Sequence, residues 1–219
     1  MVSSKPGAQA VNQFLLQNSS ESVGSRLQWW RLGGGYTTNV DEAEVFSREA
    51  ALAQHHCRES DLPWPLDKVI PHTHTAVDCQ YVAQQDLTCL PADTPCYVQK
   101  SRCWDGNDLY WITPEKSLSA NLATAQVFTL ADALLSFGGE ANAGAYVIWP
   151  TEYIGAKSRR VVHNATMSIQ KALKGTGIEL IKPQRRRRSV ATCGGCGRFS
   201  STAQIYSGAC PHCDTDNRP

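Results

Sequence analysis

The sequence has no run of 18 apolar residues, so nothing in it reads as a membrane-spanning helix. Its opening stretch, MVSSKPGAQAVNQFLLQNSS, carries one Lys but no apolar core long enough for a secretory signal, and a cytoplasmic protein is expected. Charged residues make up only 19 % against 42 % apolar, the balance of a folded chain rather than a disordered one. Catalytic signatures are also missing. There is no G-x-S-x-G, no H-E-x-x-H and no carboxylate cluster in a metal-dependent nuclease pattern. Glu59 and Asp61 lie near His55 and His56, a pairing by proximity alone. Gly33-Gly34-Gly35 is not followed by Gly-Lys-Ser/Thr, so it reads as a hairpin turn rather than a phosphate cradle. A non-enzymatic protein is the expectation.

What is present is a repeat. Leu27–Phe46, LQWWRLGGGYTTNVDEAEVF, lies on Leu109–Phe128, LYWITPEKSLSANLATAQVF, at an offset of 82. Carried on to Ala53 and Leu135, the alignment holds 8 identities in 27 positions, among them Trp29/Trp111, Asn39/Asn121 and Ala51/Ala133. Trp64-Pro65 and Trp149-Pro150 follow at an offset of 85. Solenoids need three or more repeats, so two copies read as a pseudo-twofold pair.

Within each copy the pattern predicts strand, strand, helix and an extended segment ending at Trp-Pro, where proline restricts the segment to a strand end or an edge. Asn39 and Asn121 are placed to cap short helical turns, and Ser47 and Thr129 to cap the helices that follow. The expected class is α+β, a tandem duplicated strand-strand-helix-strand unit with a C-terminal zinc ribbon. Residues 1–25 read as a flexible lead-in whose patch at Val11, Phe14, Leu15 and Leu16 could form a helical turn. The first copy is 26–70 and the second 108–155. Between them, 71–107 reads as an inter-repeat insertion with short strands at Asp78–Val82 and Cys96–Lys100. Residues 156–189 read as a basic helix, Ser158–Lys174, a strand at Ile178–Ile181 and an arginine-rich linker. The ribbon occupies 190–219.

The net charge of +1 conceals a division. Residues 1–155 carry 9 Lys and Arg against 17 Asp and Glu, a net −8, whereas 156–219 carry 12 against 3, a net +9. Such a split implies two surfaces with different partners, or a basic tail lying on an acidic body. Nine cysteines without an export signal favour metal ligation and buried thiols over a disulfide framework.

Four of those cysteines carry the strongest chemical signal. Cys193-Gly194-Gly195-Cys196 and Cys210-Pro211-His212-Cys213 are separated by 13 residues, enough for a hairpin that brings both knuckles to one ion. Four soft thiolates in a tetrahedral array select zinc more often than iron. The segment CGGCGRFSSTAQIYSGACPHC resembles a zinc ribbon, which implies a structural Zn2+ held by Cys193, Cys196, Cys210 and Cys213. Zinc ribbons occur in DNA-, RNA- and protein-binding factors, so the resemblance names no partner.

The repeated unit, with Trp29, Gly35-Tyr36-Thr37, Asp41–Ala43 and Val45-Phe46-Ser47, resembles small modules of uncharacterised bacteriophage and mobile-element proteins. That resemblance implies a setting, conflict between host and mobile DNA, but no reaction. The second copy has Ser117-Leu118 in place of Gly35-Tyr36.

Other candidates are weaker. His72 and His74 with Cys79 could form a second metal site, joined by Cys57, Cys89, Cys96 or Cys103, or could be solvated histidines and a buried thiol. Lys182, Arg185, Arg186, Arg187, Arg188 and Arg198 suit phosphate through bidentate guanidinium contacts, or an acidic protein surface. Trp30 and Tyr36 could form an exposed protein contact. The expectation is a zinc-containing binding protein that acts by occupancy on a host protein or nucleoprotein complex, such as an anti-defence inhibitor of a CRISPR-type system. The alternatives are a DNA- or RNA-binding adaptor using the arginine segment and ribbon, and a metal-dependent enzyme using His72, His74 and Cys79.

Overall fold

The computed structural model describes residues 13–139, 143–181, 190–201 and 208–216. The chain divides into two compact units, Met1–Ile181 and Lys182–Pro219. The architecture is α+β with several antiparallel sheets. No helix among the described residues is long and apolar enough to cross a membrane.

The first unit opens with β1 (Phe14–Asn18), β2 (Trp29–Trp30) and β3 (Tyr36–Thr37), followed by a 3-10 turn, Val40–Glu42, capped by Asn39. Ser47 accepts a hydrogen bond from the Ala50 amide and starts α1 (Arg48–Cys57). The chain continues through β4 (Asp61–Pro65), α2 (Leu66–Val69) and β5 (Thr73–Val77). The later part runs through β6 (Pro95–Asp105), β7 (Asp108–Ile112), β8 (Leu118–Ser119) and a 3-10 turn, Leu122–Thr124, capped by Asn121. Then come β9 (Val127–Thr129), α3 (Leu130–Phe137) capped by Thr129, β10 (Tyr146–Pro150), α4 (Thr151–Lys157) and β11 (Ser158–Val162). A short α5 (Ile169–Ala172) follows.

Two sheets, not one shared sheet, carry the sequence-aligned segments. The first has the order β3-β2-β1-β4; the second runs β10-β6-β7-β8, with β9 also on β6. Their internal contacts correspond. Gln17 pairs with Trp29 and Gln99 with Trp111. Trp64 Nε1 donates to Gln17 Oε1 at 2.7 Å, and Trp149 Nε1 to Gln99 Oε1 at 2.7 Å. Each Trp-Pro segment is an edge strand, as proline without a ladder donor requires. Trp29 and Trp111 are fully buried, one in each of the two largest apolar clusters.

The two parts join through β5 and β11, whose register runs from Thr73 opposite Val162 to Val77 opposite Ser158. Flanking them, Arg26 bridges to His163 and Asp78 to Asp108. The Asn164 amide donates to the Ser25 carbonyl and the Cys79 amide to the Asn107 carbonyl, both at 2.8 Å. Gly24 and Gly106, with φ of +57° and +63°, pack backbone to backbone where a Cβ on either would collide with the other turn.

Several expectations are corrected. Phe14–Asn18, expected as lead-in or a helical turn, is a strand inside the first sheet, with Phe14, Leu15 and Leu16 fully buried. Ser158–Lys174 is not one helix. Its beginning is β11, because Val161 and Val162 bury their branched side chains in the β5 pairing, and only Ile169–Ala172 is α-helical. Asp78–Val82 is no strand: the Asp78 side chain accepts from the Gln80 amide and starts a 3-10 turn, Cys79–Tyr81. Ile178–Ile181 forms no strand either; instead the Ile181 amide donates to the buried His55 Nε2 at 3.0 Å.

Candidate metal centre

The second unit contains the hairpin of β12 (Val190–Thr192) and β13 (Phe199–Ser201), with the first cysteine knuckle between its strands. Both knuckles share one backbone pattern. The Cys193 amide donates to the Arg198 carbonyl and the Gly197 amide back to the Cys193 carbonyl; Cys210 does the same with Thr215 and Asp214. Gly197 and Asp214, each following the second cysteine of its knuckle, take φ of +69° and +61°. The Gly195 amide lies 3.3 Å from Cys193 Sγ, and the Thr215 hydroxyl 3.3 Å from Cys213 Sγ. A side chain at position 195 would collide with Thr215, which gives Gly195 a steric reason.

This pattern turns the four sulfurs inward. Their Sγ atoms all lie within 4.8 Å of one another, Cys193 and Cys213 at 3.6 Å and Cys196 and Cys210 at 3.9 Å. A disulfide would require about 2 Å. A tetrahedral ion with metal–sulfur bonds of about 2.3 Å would set its ligands about 3.8 Å apart. The donor set fits zinc. The Arg198 amide favours the Cys196 thiolate, but the sulfurs of Cys213, Cys193 and Cys210, with partial desolvation, outweigh it and push Cys196 up to about 11. Cys213 is held below the ordinary thiol range, first by the Thr215 side chain and then by the Thr215 amide. Sulfurs this close do not all ionise without a cation among them. A bound zinc would supply a cross-link between the knuckles; among the described residues of this unit only Cys193, Cys210 and Ser200 are buried.

No family model, curated protein or solved structure matches the chain.

Of the remaining sequence candidates, Lys182 and Arg185–Arg188 lie outside the described residues. Arg198 is exposed and its Nη1 lies 3.2 Å from His212 Nδ1, beside Phe199, which is 74 % exposed. Trp30 and Tyr36 do meet, edge to face at 5.8 Å, but Trp30 also packs on buried core residues and the Tyr36 hydroxyl accepts from Arg58. Among the described residues, Cys193, Cys196, Cys210 and Cys213 are the one group of three or more potential ligands whose donor atoms converge. His72, His74 and Cys79 are not gathered in that way. The histidines line one cleft and Cys79 another, and burial raises the Cys79 thiol above its ordinary range. His55 is a structural residue: its Nδ1 lies 2.9 Å from the Asp61 carbonyl, opposite the Ile181 contact.

Sequence reading missed a buried ionic cluster. Asp108, fully buried, receives Arg26 Nε at 2.6 Å and Arg159 Nη2 at 2.7 Å. Arg26 also meets Asp105 at 3.2 Å, and Arg159 meets Asp78 at 3.3 Å and donates to Thr38. Burial raises the Asp108 carboxyl above its usual range, with Arg159 and Arg26 opposing it. The available signal was that Arg26 and Asp108 stand at aligned positions of the repeat with opposite charges.

Proposed function

We propose that this is a zinc-containing binding protein that acts by occupancy. In this reading its C-terminal unit is a zinc ribbon, and its body is a tandem duplicate joined about a pseudo-twofold axis. The observation that carries the proposal is the convergence of four sulfurs at spacings suited to one tetrahedral ion, in a unit with little other core. Support for the duplicate comes from the matched Trp-to-Gln bonds and from the β5–β11 register, which returns itself when the halves are exchanged.

The binding role rests on what the two units leave exposed. On the body, Leu134 and Leu135 of α3 and Val127 of β9 are 47 %, 85 % and 54 % exposed. Exposed apolar side chains of this size suit a protein partner. On the ribbon, Arg198 and Phe199 are exposed, and in the sequence they follow the basic residues Lys182 and Arg185–Arg188, whose guanidinium groups suit phosphate or an acidic protein surface. A host protein or nucleoprotein complex satisfies both surfaces, and the bacteriophage and anti-defence setting rests on the resemblance of the repeated unit. No catalytic step is part of this reading.

The test is binding of the zinc-loaded protein to duplex and single-stranded DNA and RNA across a salt series. A nucleic-acid role predicts affinity that falls steeply with salt and is lost when Arg185–Arg188 are changed to Ala with zinc retained. No binding at low salt would reject nucleic-acid contact and leave a purely protein-directed role.

A further inference from the structure

The two halves of the body differ in charge around Arg159 and its counterpart. Near Arg159 the cluster is closed: its guanidinium sits between the carboxylates of Asp108 and Asp78 and donates to Thr38. The aligned positions in the other half are Arg26 for Asp108, His163 for Asp78, His74 for Arg159 and Ala120 for Thr38. The alignment is structural as well as sequential, since Asp78–Asp108 and His163–Arg26 are corresponding bridges. Asp78 and His163 also perform the same local task. Asp78 accepts from the Gln80 amide at 2.9 Å, and His163 Nδ1 from the Ala165 amide at 3.1 Å.

Charge is reversed by these replacements. A cation between two carboxylates becomes an imidazole flanked by a guanidinium and a second imidazole. The place occupied by the Arg159 head and its Thr38 contact is lined instead by the shorter His74 and by Ala120. A cleft of about 620 Å³ opens here, lined by Arg26, His74 and His163 together with His72, Tyr110 and Asn121. Asp105 is the acidic residue at its wall, and its carboxylate is already taken by the Ser25 amide, the Ser25 hydroxyl and Arg26.

We propose that this cleft binds a small oxyanion of the phosphate class, seated against Arg26, His74 and His163. The anion takes the place beside His74 that Asp78 and Asp108 take beside Arg159, and Arg26, itself ion-paired with Asp108 at 2.6 Å and Asp105 at 3.2 Å, completes the wall. His74 is lowered to about 4 by burial and then by the positive fields of Arg26 and His163, with Asp105 opposing. Free phosphate and a phosphate ester share this chemistry. The inference draws on the duplicate reading of the body, but its test does not.

The experiment is a titration of the zinc-loaded full chain with inorganic phosphate, followed by the histidine ring resonances in NMR, with a 5′-mononucleotide as a second arm. Saturable shifts at His74 and His163 are expected, with the His74 midpoint rising by at least about one pH unit when phosphate binds. Tighter binding of the mononucleotide would identify the ligand as an ester; equal binding would identify the free anion. His163→Asp keeps a capping acceptor while adding a negative charge, and should weaken phosphate at least tenfold. Absence of saturable shifts in the wild-type chain, or unchanged affinity in a folded His163→Asp variant, would overturn the proposal.

Discussion

Asp108→Asn tests whether the buried ionic cluster joins the two parts of the body. Asp108 is fully buried and takes one arginine from each side, Arg26 at 2.6 Å and Arg159 at 2.7 Å. Removing one partner of a buried ion pair costs about 3–5 kcal/mol, because the remaining charge is left without compensation. Here the remaining charges retain partners: Arg26 keeps Asp105 at 3.2 Å, and Arg159 keeps Asp78 at 3.3 Å. The low end, about 3 kcal/mol, is therefore expected. With a urea m-value of about 2 kcal/mol/M, the unfolding midpoint should fall by about 1.5 M. Tryptophan fluorescence is a suitable assay, since Trp29, Trp64, Trp111 and Trp149 all sit in the body core. The loss should change little with added salt, as buried pairs are weakly screened. A midpoint shift below about 0.5 M, roughly 1 kcal/mol, would refute the reasoning.

Three further outcomes follow from single residues. Gly106→Ala adds a Cβ 2.6 Å from the Val23 carbonyl carbon at a φ of +63°, and should cost about 3 kcal/mol from strain and overpacking together. Gly33→Ala, at a φ of +86° but in open space, should cost only about 1 kcal/mol; equal losses in urea unfolding would contradict the close approach. His55→Phe, which installs the residue at the aligned position 137, removes the acceptor for the Ile181 amide. Hydrogen exchange at Ile181 should accelerate, and unchanged protection would contradict the tether. His74 binds its proton more readily in the unfolded chain, near pH 6.5, than in the fold, near 4. Its contribution to stability is thus present above about pH 6.5 and is lost as pH falls toward 4. Urea midpoints of wild type and His74→Gln should diverge over that interval, and parallel curves would contradict the shift.

The features legible in the sequence are those whose cause lies within a few residues. Asn39 and Asn121 cap their turns through side chains that accept from Asp41 and Ala123, and Ser47 and Thr129 cap helices in the same local way. The cysteine knuckles belong with these, because two residues between thiols already fix their convergence. Non-local pairing was hidden. Val161, Val162, Ala165, Ile169 and Leu173 have spacings that suit a helix, yet Val161 and Val162 answer to β5, more than 80 positions away. Phe14–Asn18 precedes the recognisable repeat, so its place beside β4 could not be read from the alignment. The ionic cluster needed both turns at once: Arg26 and Asp108 are unremarkable until Gly24 and Gly106 bring their loops together.

Metal content tests the central claim most directly. The purified chain should bind one zinc per molecule, and cobalt in its place should give the thiolate-to-metal absorption of a four-sulfur tetrahedral site. A Cys196→Ser and Cys213→Ser variant should lose that ion and the order of residues 190–201 and 208–216 while the body's urea transition stays in place. No bound zinc in the wild-type chain, or one zinc still held by the double variant, would contradict the account.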